Sequence, residues 1–301
     1  MAKLRWSFPK PEGYRLSSAL RCFGLPANDP TQLRLPRGGR RKLFWLGENL
    51  ARITAGCNDH CIVVELETRE EPVQAVSLQQ SDIERLIALE DRYNLDISSG
   101  SVLHRVPARA RQIRLGRSFW FQEVVIQTIL HQRVSGTEAA RSWSRLCRRF
   151  GESWDGLVSC PSARTLLSLS SADFASCGIE RKREIPIREA AARLPALLPT
   201  HIPWEEAGEK MLACRGIGGW TEQYVRGHFL GDPDAVPLGD YDLPKIVGYF
   251  FEGRRDGNDD DMLRLLEPYR GQRFRILYWI AFSGIRPPRR GARLPHGSLL
   301  D

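Results

Sequence analysis

Two carboxylates two residues apart, Asp240 and Asp242 in "LGDYDLPK", follow the stiff stretch "DPDAV", with Pro233 and Pro237 in the connecting loop. An acid held at such a turn can stabilise a developing positive charge and orient or deprotonate water. The plainer role of an acid at a helix start is to cap free amides. Just upstream, "LACRGIGGWTEQY" (212–224) places Gly216, Gly218 and Gly219 within four residues, before what reads as the first turn of a helix. Glycine costs backbone entropy, so either the turn is tight or something must come close to the backbone. A helix opened by such a hairpin presents amides without intrahelical partners at the positive end of its dipole, which suits a phosphate. The alternative is a plain corner between two helices with no ligand. Ile217 would pin the hairpin to the core.

The elements that must position these residues fall into two parts. Residues 1–84 read as a β-rich N-terminal domain: "KLFWLGENLARITAG" and "CIVVELET" are β-branched and aromatic runs between Gly, Asn and Asp turn signals. A short helix at "SSALRCFG" ends in a Gly stop. Ser81 reads as the N-cap of a helix over "DIERLIALEDRY". Residues 85–285 then alternate helix and short loop, from "FWFQEVVIQTILHQR" to "FRILYWIAF", without a fixed repeat. Residues 286–301, "RPPRRGARLPHGSLLD" with its flank, read as a basic, disordered tail. The expected fold class is α+β: a mostly α-helical body of two subdomains flanking a cleft, preceded by the small β domain.

The 301 residues carry 42% hydrophobic and 27% charged side chains and a net charge of +8, the pattern of a soluble globular protein. Arginine supplies 38 of the 44 basic residues. It is the better fork for phosphate, and the basic surplus fits a polyanion partner as well as it fits a coding bias with a solvated surface. Seven scattered cysteines point to reduced thiols in a cytoplasm. The close pair in "CNDHC", Cys57 and Cys61 around His60, lacks a second ligand pair for zinc and reads as a β-hairpin with buried thiols. The N-terminus has no apolar h-region, and no run approaches the length of a membrane span.

The order glycine hairpin, helix, Pro/Gly turn and Asp in "RGIGGWTEQYVRGHFLGDPDAVPLGDYDLPKIV" resembles the helix-hairpin-helix–Gly/Pro–Asp superfamily of DNA glycosylases. It looks most like the bacterial 3-methyladenine DNA glycosylase II family. "FQEVVIQTILHQRVSGTEAARSWSRLCRRFG", "GIERKREIPIREAAARL" and "PYRGQRFRILYWIAF" continue the match in order, over about residues 85–285. The resemblance implies a base-excision repair enzyme that flips a damaged base, foremost an alkylated purine, out of double-stranded DNA. Asp240 would be the catalytic acid and Asp242 a solvated first-turn acid. Trp220 stands where bifunctional members carry a Schiff-base lysine, which implies hydrolysis without lyase chemistry. Trp220, Tyr224, Tyr269 and His131 would line the base pocket, although each could equally serve packing. Tyr269 falls where the alkylpurine family has a pocket Trp, and His131 where a Gly is common. Gln132 and Arg133 would enter the minor groove, with Arg133 meeting the orphaned base or a phosphate. Gly216, Gly218, Gly219 and Thr221 would hold DNA phosphate. No dedicated metal ligands are visible and no cofactor is implied beyond a weakly held monovalent cation at the hairpin. The implied protein is a monomer of the cytoplasm, nucleoid-associated in a bacterium, with no membrane partner. The departures at 131, 133 and 269 leave open an oxidised or deaminated purine as substrate. A hairpin of this kind also occurs in proteins that only bind DNA.

Overall fold

The structure, a computed structural model, describes residues 3–25, 29–70 and 78–288. Five strands build one antiparallel sheet: β1 (Lys3–Pro9), β2 (Gln32–Arg34), β3 (Arg40–Leu46), β4 (Asn49–Cys57) and β5 (Cys61–Thr68), in the order β1-β5-β4-β3-β2. Alternating burial along β5 shows why: Ile62, Val64 and Leu66 face inward and their neighbours outward. Helix α1 (Leu16–Ala19) and a 3-10 turn to Phe23 end at Gly24, as the sequence suggests. The "CNDHC" stretch is the turn between β4 and β5, where the Asn58 side chain accepts the amides of His60 and Cys61. Its two thiols are half-buried rather than buried, because both stand at the strand ends where the sheet runs out. Among the described residues no group of three or more His, Cys, Asp or Glu is placed to hold a metal ion.

Helix α2 (Gln80–Leu86) is capped by Gln79 with Asp82 reaching back, so Ser81 lies inside the helix instead of capping it. The helix also stops at Leu86, well short of the stretch that periodicity suggests. Helix α3 (Ala108–Arg111) leads to the wholly buried α4 (Phe121–Leu130) and the amphipathic α5 (Gly136–Phe150). A two-stranded ribbon, β6 (Ser153–Trp154) and β7 (Leu157–Val158), and α6 (Ala163–Ser168), α7 (Ser171–Ser176) and α8 (Arg181–Arg193) follow. The hairpin helices are α9 (Trp204–Leu212) and α10 (Gly219–Phe229). Helices α11 (Leu243–Glu252), α12 (Asp259–Leu266) and α13 (Arg273–Ser283) complete the body. The ribbon, α7 and α12 are too short or too polar to be announced by periodicity.

Two cores result. The first joins the sheet to α4, α5 and α8–α10; the second is built from α3 and α11–α13 with Leu103, Val106, Ala235 and Val236. The sheet therefore shares its core with the helical body. Phe44 of β3 meets Phe119 and Trp120 at 5.5 and 5.4 Å, and Phe23 meets Trp120 edge-on at 4.9 Å. A buried polar network lies in the same seam. Lys42 of β3 is fully buried and donates to Glu123 of α4 at 2.5 Å and to Thr31 at 2.8 Å. Asp29 takes the Trp143 indole at 2.7 Å, and Gln127 completes the group. Burial pushes the Glu123 carboxyl up to about 7 against the pull of Lys42. Residues 289–301, most of the expected tail, lie outside the described residues.

Removing one partner of that pair would leave a buried charge uncompensated. Lys42→Met should cost about 3–5 kcal/mol in chemical unfolding, and adding Glu123→Gln should restore much of it. Equal stability of the single and double variants would contradict this coupling.

Candidate DNA-lesion site

The glycine hairpin divides its labour. Gly216 lies at φ +87°, and a Cβ there would stand 3.0 Å from the Pro186 ring of α8, so this glycine serves both turn and packing. Gly218 and Gly219 face open space. Gly218 is the N-cap of α10 with extended backbone and no side-chain cap, which leaves the first amides of α10 pointing outward. Ile217 is buried in the first core and anchors the turn, as its apolar side chain requires. Thr221 is buried, and its hydroxyl accepts the Gln132 side-chain amide at 3.0 Å. Gln132 also donates to the Gly216 carbonyl at 3.3 Å. Thr221 thus ties the hairpin to the turn after α4, and the side of the hairpin open to an anion is made of backbone amides. Arg133 follows on that turn, exposed and with a left-handed backbone at φ +56°. Such left-handed backbone in a non-glycine residue costs free energy and persists only where the surrounding turn enforces it.

Asp240 sits two residues before α11, after Gly239 at φ +83°. Its Oδ1 accepts the amides of Asp242 and Leu243, both at 2.9 Å. Its Oδ2 accepts the Trp220 indole N–H of α10 at 3.0 Å. The carboxylate is therefore a cap for α11 and is also fixed by a residue of the glycine hairpin. Asp242 occupies the formal N-cap position but is exposed and makes no side-chain cap bond. The helix starts at Leu243, a turn later than the Gly239-Asp240 start read from sequence, because Pro244 takes its favoured first-turn position.

An aromatic column runs inward from Trp220. Tyr224 lies 5.1 Å from it, and His228 stacks on Tyr224 at 4.0 Å. The spacing 220, 224, 228 is one face of α10. Tyr278 and Phe274 of α13 meet His228 edge-on at 4.8 and 5.0 Å. The helices can approach this closely because Gly227 lies under Phe274, where a Cβ would stand 2.3 Å from the ring. Burial is the main force raising the Tyr224 phenol, followed by Tyr278 and then the charge of Asp240. Burial, with lesser repulsion from Arg21 and His131, pulls His228 down to about 3. Burial alone brings His131 to about 4. At the inner end a cavity of about 180 Å³ is bounded by Tyr224, His228, Tyr278, Phe282 and three arginines, Arg21, Arg34 and Arg40.

The structure thus brings Asp240, Trp220 and Tyr224 together, with His131 near His228. Gln132 and Arg133 stand beside the hairpin. Tyr269 is placed elsewhere: it tilts against Phe251 at 5.9 Å in the second core, since the turn at Glu267–Tyr269 packs on α11. Tyr278 and Phe282, one turn apart on α13, are the aromatics that face α10 instead. Sequence reasoning missed them, along with His228 and the arginines. The four-residue step from Tyr224 to His228 was a signal for the histidine. Nothing local marked the arginines, which come from the sheet and from the 3-10 turn after α1.

The fold, a small antiparallel sheet on two helical subdomains with a glycine hairpin and an acid at their junction, is shared with solved DNA glycosylases. A 3-methyladenine DNA glycosylase from Archaeoglobus fulgidus superposes with a TM-score of 0.71 at 20% identity, over 92% of this chain and 98% of that one. An 8-oxoguanine glycosylase/lyase from Clostridium acetobutylicum, in complex with double-stranded DNA containing cytosine opposite 8-oxoguanine, does so with 0.61 at 13% identity, over 92% and 97%. In sequence, the chain is 29% identical over 153 residues to YfjP of Bacillus subtilis, which carries the name of a DNA-3-methyladenine glycosylase. It is 28% identical over 149 residues to AlkA of Mycobacterium tuberculosis, named as a bifunctional transcriptional activator and DNA repair enzyme. The matched regions cover 48% and 47% of this chain, 53% of the first relative and 29% of the second, so the chain spans about half the length of the first curated relative and under a third of the second. No protein-family model matches. No described helix is long and apolar enough to cross a membrane.

Two outcomes follow from this geometry. Both half-buried imidazoles should stay neutral down to about pH 5 in NMR titrations; a midpoint near 6.5 for either would contradict their desolvation. Because the unfolded chain binds protons that the folded protein refuses, both histidines make stability fall as pH drops below about 6.5. Trp220→Phe keeps an aromatic ring but removes the donor to Asp240. It should lower base release by about 10-fold, the worth of one hydrogen bond to a charge, and leave duplex binding nearly unchanged; undiminished turnover would show that the indole does not position the acid.

Proposed function

We propose that the protein is a monofunctional DNA N-glycosylase of base-excision repair, acting on a damaged base in double-stranded DNA, foremost an alkylated purine. One observation carries this reading: the Asp240 carboxylate is locked by the indole of Trp220, which occupies the position where a lyase needs an amine. Cleavage of the C1′–N bond builds positive charge on the sugar, and a fixed carboxylate beside it stabilises that charge. Water then adds its oxygen to C1′ and keeps one proton as the new hydroxyl, while its other proton passes, directly or by way of an Asp240 that orients the water, to the departing base. An indole cannot form a Schiff base, so the sugar–phosphate strand stays intact.

The open amides of Gly218, Gly219 and the following residues would hold a phosphate beside the flipped nucleotide, with the α10 dipole in support. Gln132 and Arg133 would fill the gap left by the extruded base. Tyr224 and its neighbours would receive it. A weakly held monovalent cation, if present, would lie on the hairpin carbonyls, where the Gly216 oxygen keeps a lone pair beside its Gln132 bond. The relatives named for 3-methyladenine support the alkylated base, and the basic net charge supports the DNA partner. The proposed setting is a monomer working in the cytoplasm on the nucleoid.

The test is a lesion-duplex assay with and without alkali. Wild type should release base and give strand breaks only after alkali, and borohydride should trap no covalent complex. Asp240→Asn should retain duplex binding and lose release by at least about 100-fold, the lower end for a positioned acid–base group. Full turnover by that variant, or strand scission without alkali, would overturn the proposal.

A further inference from the structure

The inner cavity raises a question that the catalytic acid does not answer: which charge of base it accepts. Arg21, Arg34 and Arg40 all line it, and none makes an ion pair with a carboxylate among the described residues. Arg21 donates to the Tyr278 hydroxyl at 2.9 Å and lies 3.8 Å over the Phe282 ring. Arg40 donates to the Gln32 side-chain oxygen at 2.6 Å, and burial with repulsion from Arg34 weakens its hold on its proton. The nearest acid, Asp29, is already committed: its Oδ1 accepts from Trp143 and Thr31, and its Oδ2 from Gln32. The remaining titratable groups around the cavity, His228 and Tyr224, are held neutral. Three arginines thus stand against the single carboxylate of Asp29, whose field reaches Arg40, and the wall carries an excess of positive charge. The aromatic faces that would attract a cationic base are also in use, since Arg21 covers Phe282 and His228 covers Tyr224.

We infer that this cavity selects an uncharged purine with carbonyl oxygens on its edge, and discriminates against purines made cationic by ring N-methylation. Guanidinium N–H groups and the Tyr278 hydroxyl match exocyclic oxygens, while a positive base would enter a field of like charge at short range. The inference rests on the glycosylase reading but runs against its foremost substrate: of the alkylated purines it keeps only those left uncharged and sets aside ring-methylated cations such as 3-methyladenine in DNA. A neutral alkylated, deaminated or oxidised purine fits; a methylated cation does not.

Duplexes carrying 7-methylguanine, 8-oxoguanine or hypoxanthine at one position form the test. The first two share the O6 edge and differ in charge. Wild type should release at least one of the neutral bases about 10-fold or more faster than 7-methylguanine. Arg21→Gln and Arg40→Gln, each confirmed folded by thermal unfolding, should narrow that ratio. Preferred release of 7-methylguanine, or a ratio that neither substitution moves, would overturn the inference while leaving the glycosylase intact. Arginines that serve only the DNA backbone would weaken binding of damaged and undamaged duplex alike with the ratio fixed, which also overturns it. If no base is released from any duplex, the glycosylase reading itself fails. Binding of the Asp240→Asn protein to the same duplexes still reads the pocket: tighter binding of a neutral lesion supports charge selection, and equal or reversed affinities overturn it.

Discussion

The Asp240 carboxylate accepts from three donors on two helices, and the rest of the site follows from that arrangement. Two backbone amides at the start of α11 and one indole of α10 converge on a single side chain. Helix α10 belongs to the first core and α11 to the second. The bond from Trp220 to Asp240 therefore spans the junction of the two cores, and the acid stays in place only while both remain packed. A carboxylate held by three donors keeps its direction, as electrostatic stabilisation of a transient cation requires.

The same junction is closed further in by glycine. Gly227 lets Phe274 lie against α10, and this close approach stacks Tyr224, His228 and Tyr278 into one column. Along that column the character changes from a negative group at the surface to positive groups at the inner end. Such a gradient gives direction to whatever enters: a sugar at the acid and an electron-rich ring among the arginines. The sheet contributes to this end of the site, since Arg34 and Arg40 stand on β2 and β3. Its attachment through Lys42, Glu123 and the aromatic seam thus matters to the pocket as well as to stability.

The fold class was legible because its signals are local. Alternating burial marks the strands, the 3.6-residue period marks α4, α5 and α13, and Gly24 and Gly216 stop or turn the chain where only glycine serves. Elements without a strong period, the ribbon at 153–158, α7 and α12, left no such trace. Ser81 misled because a hydroxyl before an acidic turn resembles a cap, whereas the Gln79–Asp82 pair closes the box one turn earlier.

By itself, the sequence determined the order of glycine hairpin, helix and acid, and with it which backbone amides and which carboxylate stand at the ends of neighbouring helices. These are properties of neighbours within 25 or so residues, where dihedral preference and helical spacing set geometry. Tertiary packing decided the remainder. Tyr269 lies against Phe251 while Tyr278 and Phe282 face α10, because the rotation of α13 about its axis depends on where Gly227 lets it settle. Arg21, Arg34 and Arg40 share one cavity although 184 (Arg40 to Tyr224) to 261 (Arg21 to Phe282) positions separate them from its aromatic wall. No local rule encodes such a meeting; it arises only when the sheet and two helices are packed together and their charges are brought to one cavity.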